Sequence, residues 1–311
     1  MEFVSVPKAR PGDKVAVLSP SFAAPAVAPR INEQALERLA ALTELEPVEF
    51  PTTRELGASA RDRAADFNAA FADPDIRAVL ATIGGDDQIT VVPHLDAELV
   101  RRDPKPFLGY SDNTNILNWL WTHGVPGYYV GSTQVQLGPG PGIDPIHAQA
   151  LRAALLTGER LEITEPGESE DFGRDWNDPR ALTESGEREP TEAWVWSGPS
   201  TSVTGRTWGG CIEVIQWILT AGRFPSDLAV LDGGVARPPT SDFTVRPSAE
   251  ERKAKRDEQR DMAISLVDRY NPDALVVVGP PFGHTRPQWI VPYGGQMTVD
   301  GSAKRLFADY R

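Results

Sequence analysis

Short apolar runs and longer helical stretches alternate along the first third of the chain, and this alternation constrains the fold more than any other feature. The pattern predicts strands at 14–18, 76–83 and 105–109, and helices at about 32–41 and 59–72. Strands that alternate with helices are typical of an α/β layer with a largely parallel sheet. We therefore predict an α/β fold with an N-terminal parallel-sheet layer domain.

Three loops at predicted strand ends carry residues suited to chemistry. The loop at 19–21 reads SPS, the loop at 84–87 reads GGDD, and the segment 109–113 reads GYSDN. In open α/β sheets, ligands usually bind in the crevice at the carboxyl ends of the strands. We expect these loops to lie side by side at that edge.

Ser111 lies where the strand ending at Gly109 passes directly into a helix opened by Asp112, Asn113 and Thr114. Such an elbow exposes a hydroxyl beside backbone N–H groups and the positive end of a helix, where an oxyanion could form. Ser111 is therefore a candidate nucleophile. The alternative is that Ser111 or Asp112 only caps the helix, which both residue types do well.

The second half begins with a change of composition. Residues 162–192 are rich in acids, Gly and Pro and have little apolar periodicity, as in a solvated linker or a lid. Trp176 is an aromatic residue with no obvious core partner in this segment. We predict an N-terminal nucleophile domain at 1–161, a connection at 162–192, and a second, smaller α/β domain at 193–311.

Two further candidates follow apolar runs in this second region. His284 lies on a loop after a predicted strand at 274–279, a position suited to a general base, although an isolated loop histidine is more often incidental. Asp232 ends the predicted strand at 228–231 and could orient the imidazole. An Asp-Gly pair at this point can also be a simple turn.

Composition excludes several classes of protein. The net charge of −13 opposes extended nucleic-acid binding. One cysteine and four histidines leave no disulfide framework and no recognisable metal-ligand spacing, so we expect no metal. No apolar run approaches the roughly 20 residues that span a bilayer, and the N-terminus lacks the features of a signal peptide, so we expect a cytoplasmic protein.

The motifs taken together match one family. The order GGDD, GYSD, GRTWGG, an acid at a strand end, and GHTRPQWIVPYG resembles the LD-carboxypeptidase family of serine peptidases. Within that family the chain looks most like the microcin C self-immunity branch. The resemblance extends from about Pro11 to Asp300.

The resemblance implies a catalytic triad and an oxyanion hole. Ser111 would be the nucleophile, His284 the base, and Asp232 the acid. The backbone N–H groups of Gly85 and Asp112 would bind the oxyanion, since a glycine permits close approach and a helix N-terminus favours negative charge.

The chain departs from the family pattern at two positions. The family usually has glutamate where this chain has Asp232, so Glu250 or Glu251 could act instead. Cys211 stands where the family commonly has asparagine, and we interpret it as a buried, inert thiol.

The resemblance also implies a substrate class. The self-immunity branch stacks a nucleobase on a tryptophan-bearing loop, and Trp176 fits that position. Trp194 and Trp196 alternate in a strand-like run, so at most one should face the site. We assign Trp196 to substrate binding, together with Gly84. Four arginines near the motifs could meet a phosphate, although each is more commonly an ion-pair residue: Arg206, Arg237, Arg246 and Arg286.

The expected reaction is hydrolysis of an amide-type bond between an aspartyl, other aminoacyl or peptidyl group and a nucleotide-like moiety. Neither a metal nor an organic cofactor should be required, and the family commonly forms homodimers. Two alternatives stay open. One is a murein tetrapeptide LD-carboxypeptidase, and the other is a ligand-binding protein that has lost turnover.

Overall fold

The structure is a computed structural model that describes residues 2–224 and 248–311. Its helices are α1 (Ala24–Val27), α2 (Pro29–Thr43), α3 (Ala60–Ala72), α4 (Ala97–Arg102), α5 (Thr114–Thr122), α6 (Pro145–Arg152), α7 (Ile212–Thr220) and α8 (Ala249–Tyr270). Its strands are β1 (Lys14–Leu18), β2 (Glu46–Glu49), β3 (Ile76–Ala81), β4 (Phe107–Gly109), β5 (Gly127–Tyr129), β6 (Arg160–Ile163), β7 (Glu168–Ser169), β8 (Glu189–Pro190), β9 (Val195–Ser197), β10 (Ser202–Arg206), β11 (Val276–Val278), β12 (Val291–Tyr293), β13 (Gln296–Asp300) and β14 (Arg305–Asp309).

Six strands form the central sheet, in the order β12-β5-β4-β3-β1-β2. The pairs among β2, β1, β3, β4 and β5 are all parallel, and β12 joins the β5 edge antiparallel. The α/β prediction with a parallel-sheet core is confirmed. The order also places the loops that follow β3 and β4 beside each other.

The burial of the central strands explains the apolar runs that predicted them. Strand β1 reads KVAVL, with its last four residues buried, and five of the six residues of β3 are buried. A parallel sheet covered on both faces requires such continuous apolar runs. Helix α3 begins where the side chain of Ser59 accepts the backbone N–H of Asp62, a regular N-cap.

A second sheet is antiparallel, in the order β10-β13-β14-β6. Two smaller antiparallel pairs, β9 with β11 and β7 with β8, complete the strands of the described residues. Strand β6 lies at the end of the predicted N-terminal domain yet pairs with β14, and β12 comes from the C-terminal region yet extends the central sheet. The two regions therefore exchange strands across the predicted boundaries. The strand predicted at 228–231 lies outside the described residues.

The connection at 162–192 is an ordered part of the fold. It contains the β7–β8 pair and a 3-10 turn at Pro179–Leu182. Its acidic residues form ion pairs with α8, including Glu189 with Arg252 and Glu192 with Arg256 at 2.9 Å. Composition alone suggested a solvated linker, but these contacts attach the segment to the second region.

Helix α8 is the charged helix that the sequence indicated. It begins with a reciprocal capping box between Ser248 and Glu251, and it carries an i,i+4 ion pair between Lys253 and Asp257 at 2.7 Å. Over residues 2–224 and 248–311, no helix has the length and apolar character that crossing a bilayer would require.

Candidate active site

Ser111 adopts a left-handed backbone conformation at the end of β4, with φ at 59°. It opens a single 3-10 turn, Ser111–Asn113, which runs directly into α5. A non-glycine residue with positive φ is uncommon and costs conformational energy. The strand, the strained residue and the helix together have the geometry of a nucleophile elbow.

Asn113 holds this turn in place. Its side-chain amide donates to the carbonyls of Ile83 and Tyr110, each at 3.0 Å, and its oxygen accepts from the side chain of Gln88 at 2.8 Å. A side chain at Gly109 would approach the Cβ of Asn113 to 2.7 Å, so only glycine leaves room there. The elbow is therefore fixed to the neighbouring β3 loop.

The carboxylate of Asp112 is used for tertiary contacts. It accepts from the Ser21 hydroxyl at 2.5 Å, from the Gln88 backbone N–H at 2.8 Å, and from the Asn115 side chain at 2.8 Å. Burial raises its pKa, while the hydrogen bonds from Ser21 and Gln88 oppose that shift. The loops after β1, β3 and β4 thus converge on one buried carboxylate.

The two glycines of GGDD lie against these groups. A Cβ at Gly84 would come within 2.7 Å of the Ser111 Cβ and 3.2 Å of the Asp112 nitrogen. A Cβ at Gly85 would come within 2.0 Å of the Ser21 hydroxyl oxygen. Both positions require glycine because the backbone of this loop is packed directly on the loops that it faces.

His284 lies close to the elbow although it is far along the chain. Its ring packs against the ring of Tyr110, the residue before Ser111, with the centroids 5.2 Å apart. The loop that carries it is closed by a hydrogen bond from the Trp289 N–H to the Pro281 carbonyl at 3.1 Å. The structure therefore brings the predicted base and the predicted nucleophile into the same region.

A cavity of about 420 Å³ opens beside His284, a volume suited to a small-molecule ligand. Its walls include Tyr129, Trp194 and Cys211. Ser111 is half-buried and lies next to one of these walls, since its N–H donates to the Tyr129 hydroxyl at 3.4 Å. Tyr129 carries no motif that marks it as functional, although the apolar run after α5 indicates a strand there.

The second of the paired glycines Gly209 and Gly210, which precede α7, contacts Thr114 at the start of α5. Gly210 has φ at 123°, and a Cβ there would meet the Thr114 side chain at 2.4 Å. The Cys211 N–H donates to the Thr114 hydroxyl at 3.0 Å, and that hydroxyl donates to the Ser111 carbonyl at 2.7 Å. The GRTWGG motif therefore supports the backbone of the candidate nucleophile.

The thiol of Cys211 is unsuited to nucleophilic chemistry. Burial raises its pKa to about 11, and the neighbouring Glu213, whose carboxylate accepts from the thiol at 3.1 Å, adds to that shift. Such a thiol stays protonated at neutral pH, whereas the thiolate is the reactive form.

The three tryptophans considered for substrate binding occupy different places. Trp194 lines the cavity. Trp196 packs against the main core from strand β9. Trp176 packs against a small cluster that contains Ile31 and Ala181. The roles predicted for Trp176 and Trp196 in substrate binding stay predictions.

The acid of the expected triad, Asp232, lies outside the described residues, as do Arg237 and Arg246. Glu251 is exposed and occupied by the capping box of α8, where Ser248 lowers its pKa. Arg206 packs over the ring of Phe3 at 4.2 Å.

Comparison with known proteins gives concordant relationships. Residues 15–130 match the model of the LD-carboxypeptidase N-terminal domain. A putative carboxypeptidase of Vibrio cholerae is 29% identical over 220 residues, which are 69% of this chain and 64% of that protein. The microcin C7 self-immunity protein of Escherichia coli is 27% identical over 56% of this chain and 50% of its own length. A murein tetrapeptide carboxypeptidase of Pseudomonas aeruginosa is 31% identical over 48% of each chain.

Solved structures extend the likeness in fold over nearly the whole chain. The apo microcin C7 self-immunity protein superimposes with a TM-score of 0.80, at 19% identity, over 98% of both chains. The same protein in complex with aspartyl sulfamoyl adenosine gives a TM-score of 0.79, also at 19% identity and over 98% of both chains. The fold is therefore shared, and the resemblance that the motifs carried is confirmed.

Proposed function

Because residues 15–130 belong to the LD-carboxypeptidase family, we propose that the chain is a serine peptidase that hydrolyses an amide-type bond joining an aminoacyl or peptidyl group to a nucleotide-like moiety. The observation that carries this proposal is the left-handed Ser111 at the strand-to-helix elbow, with the His284 ring against the neighbouring Tyr110. A candidate nucleophile and a candidate base in the same region, next to a cavity, are the minimum that acyl transfer requires.

The reaction proceeds through an acyl-enzyme. The Ser111 oxygen bonds to the substrate carbonyl carbon while His284 takes the hydroxyl proton, and the oxyanion is held by the N–H groups of Gly85 and Asp112. The carbon–nitrogen bond then breaks as His284 returns the proton to the leaving nitrogen. Water, deprotonated by His284, releases the acyl group and regenerates the serine. In this proposal Asp232 orients the imidazole.

Two observations favour a nucleotide-like leaving group. The likeness in fold to the microcin C7 self-immunity protein covers 98% of the chain, and that protein has been crystallised with aspartyl sulfamoyl adenosine. The ordered connection at 162–192 carries Trp176, and the cavity wall carries Trp194. An indole that stacks on a base contributes about 1 to 3 kcal/mol. The proposed role is therefore self-immunity or detoxification of microcin C-like antibiotics.

A murein tetrapeptide carboxypeptidase is the second candidate. The relative from Pseudomonas aeruginosa, matched at 31% identity over about half of the chain, supports it. The elbow chemistry would be the same, and only the group that fills the cavity would differ.

The deciding experiment compares hydrolysis of aspartyl sulfamoyl adenosine and of a murein tetrapeptide by mass spectrometry, with wild type and Ser111→Ala. We expect cleavage of the nucleoside compound, and a loss of about 10⁶ in turnover in the variant with binding retained. Release of D-alanine alone would replace the proposal with the murein activity. Binding without cleavage of either compound by the wild type would indicate a homologue that has lost turnover.

A further inference from the structure

Four charged side chains form a network next to the loop that carries His284. The Arg286 guanidinium contacts an Asp144 carboxylate oxygen at 3.2 Å and a Glu170 carboxylate oxygen at 3.3 Å. Arg188 contacts the other oxygen of Asp144 at 2.7 Å and that of Glu170 at 3.8 Å. Glu170 is 2% exposed and Arg286 is 4% exposed, so the central pair is inside the protein.

The backbone joins the same two residues. The Glu170 N–H donates to the Arg286 carbonyl at 2.7 Å, and the Arg286 N–H donates to the Glu170 carbonyl at 3.0 Å. Arg286 is only two residues after His284. The connection at 162–192 is therefore bonded, through both main chain and side chain, to the His284 loop.

Other contacts leave this loop little freedom. The Trp289 N–H closes the loop onto the Pro281 carbonyl, and the Trp289 indole donates to the Thr164 carbonyl at 2.9 Å. The ring of His284 rests on Tyr110. Arg286 lies between these contacts and holds the loop through its charge, because it forms an ion pair with Glu170 of the connection.

An interior ion pair of this kind is a poor source of stability. The desolvation of the charges offsets much of their attraction, and apolar residues of similar volume often serve as well. The contacts around it do, however, restrain geometry, because Arg286 donates a hydrogen bond to Asp144, forms an ion pair with Glu170, and is joined to Glu170 by two main-chain hydrogen bonds. That restraint acts directly on the segment that carries the proposed base.

From this geometry we infer that Glu170 and Arg286 are positioning residues, which fix the His284 loop against the elbow, with Asp144 as the second carboxylate of the anchor. This inference rests on the proposed role of His284 as the base. The connection is then part of the catalytic framework, since it supplies Glu170. A base displaced by about 1 Å can cost about 10²-fold in rate.

The test uses Glu170→Gln and Arg286→Lys, with Asp144→Asn as a milder variant that leaves the central pair intact. Glutamine keeps the shape of Glu170 and removes its charge, and lysine keeps the charge of Arg286 and loses the fork. We expect turnover of aspartyl sulfamoyl adenosine to fall about 100-fold with KM within about threefold of wild type. Asp144→Asn should have a smaller effect of the same kind.

A second readout does not depend on activity. The chain has four histidines, so an NMR spectrum of ring-labelled protein contains four imidazole signals, and His284→Ala identifies one of them. We expect the His284 signal to shift or broaden in the network variants. The matched control is Asp66→Asn, another buried carboxylate, which lies on α3 and accepts from the hydroxyl and the backbone N–H of Thr52 at 2.6 and 2.7 Å. It should lower the melting temperature and leave the His284 signal unchanged.

The outcomes separate the two ideas. Wild type that cleaves neither compound contradicts the proposed function, while the NMR signal still tests the positioning. A His284 signal and a turnover number unaffected by Glu170→Gln and Arg286→Lys would show that the network is only structural. Should either variant fail to fold, Asp144→Asn decides by the same two readouts.

Discussion

At the scale of single residues, the conformation of Ser111 is the most informative property of the site. A left-handed backbone costs a residue other than glycine roughly 1 to 3 kcal/mol, and such strain persists only where neighbours enforce it. Here one neighbour is Asn113, whose side chain makes three hydrogen bonds. The other is Gly84, which packs so closely on Ser111 that a side chain at position 84 would not fit. The alternative in which Asp112 only caps α5 is disfavoured, because its carboxylate accepts hydrogen bonds from Ser21, Gln88 and Asn115 instead.

Gly84→Ala should damage catalysis through its contact with Ser111, the proposed nucleophile. The new Cβ would lie 2.7 Å from the Ser111 Cβ, so the elbow or the β3 loop must move. We expect kcat/KM for the cleaved substrate to fall about 100-fold, as expected for a displaced reacting group. Steady-state kinetics on purified protein measure this.

The control for that variant is Gly142→Ala. Nothing lies within 4 Å of a Cβ at Gly142, so the added methyl group meets open space. Activity should stay within about twofold of wild type, in line with other substitutions remote from packed features. Equal kinetics for the two alanine variants would show that the close approach at Gly84 has no catalytic role.

At the scale of elements, the connection at 162–192 differs most from its sequence pattern. Its composition is that of a solvated linker, yet it pairs β7 with β8, forms ion pairs with α8 and buries Glu170. Composition reports the average environment of a segment, whereas burial of one glutamate depends on an arginine more than a hundred residues later in the chain. The same connection presents Trp176 beside Ile31.

Replacing the tryptophan of the cavity wall and the tryptophan of the connection should separate their roles. Trp194→Ala removes an indole from the cavity wall, and Trp176→Ala removes one from the connection. If an indole stacks on the base, its loss should raise the KM for aspartyl sulfamoyl adenosine by about tenfold or more. The KM for a murein tetrapeptide should stay unchanged. Steady-state kinetics with both substrates identify which indole stacks.

Trp217→Ala is the control, because this tryptophan is 43% exposed on α7. It should leave both KM values unchanged. If both Trp176→Ala and Trp194→Ala leave the KM for the nucleoside compound unchanged, stacking is not the basis of recognition.

At the scale of the whole molecule, His147 links pH to stability. It is buried on α6, where its Nδ1 pairs with the Gln288 carbonyl at 3.0 Å, and burial lowers its pKa from 6.5 to about 4. The unfolded chain therefore binds the extra proton at a higher pH than the folded chain. The stability from the neutral imidazole is complete above pH 6.5 and is lost as the pH falls towards 4, up to about 3 kcal/mol.

His147→Asn should flatten that dependence, because its amide can still donate to the Gln288 carbonyl and does not titrate. Urea unfolding of wild type and variant between pH 7 and about pH 4 measures the difference. His94→Asn, at a half-exposed position, should keep the wild-type slope. An unchanged slope in the His147 variant would assign the acid sensitivity to other groups.

The domain boundaries and the homodimer that the resemblance implies stay predictions. Within the one chain, β6 and β12 tie the N-terminal and C-terminal regions together, since each pairs with a strand of the other region. The two sheets are therefore coupled in folding, and a cut at 161 or 192 would separate paired strands.

The sequence by itself determined the α/β class, the parallel strands β1, β3 and β4, and the candidate nucleophile at the end of β4. These follow from local patterns. Buried parallel strands require continuous apolar runs, and a strand-to-helix turn depends on residues that are adjacent in sequence. Only the tertiary structure decided that β12 extends the sheet beside β5, that His284 rests on Tyr110, and that Glu170 pairs with Arg286. Those contacts join residues distant in sequence, and no local backbone preference encodes which of them meet.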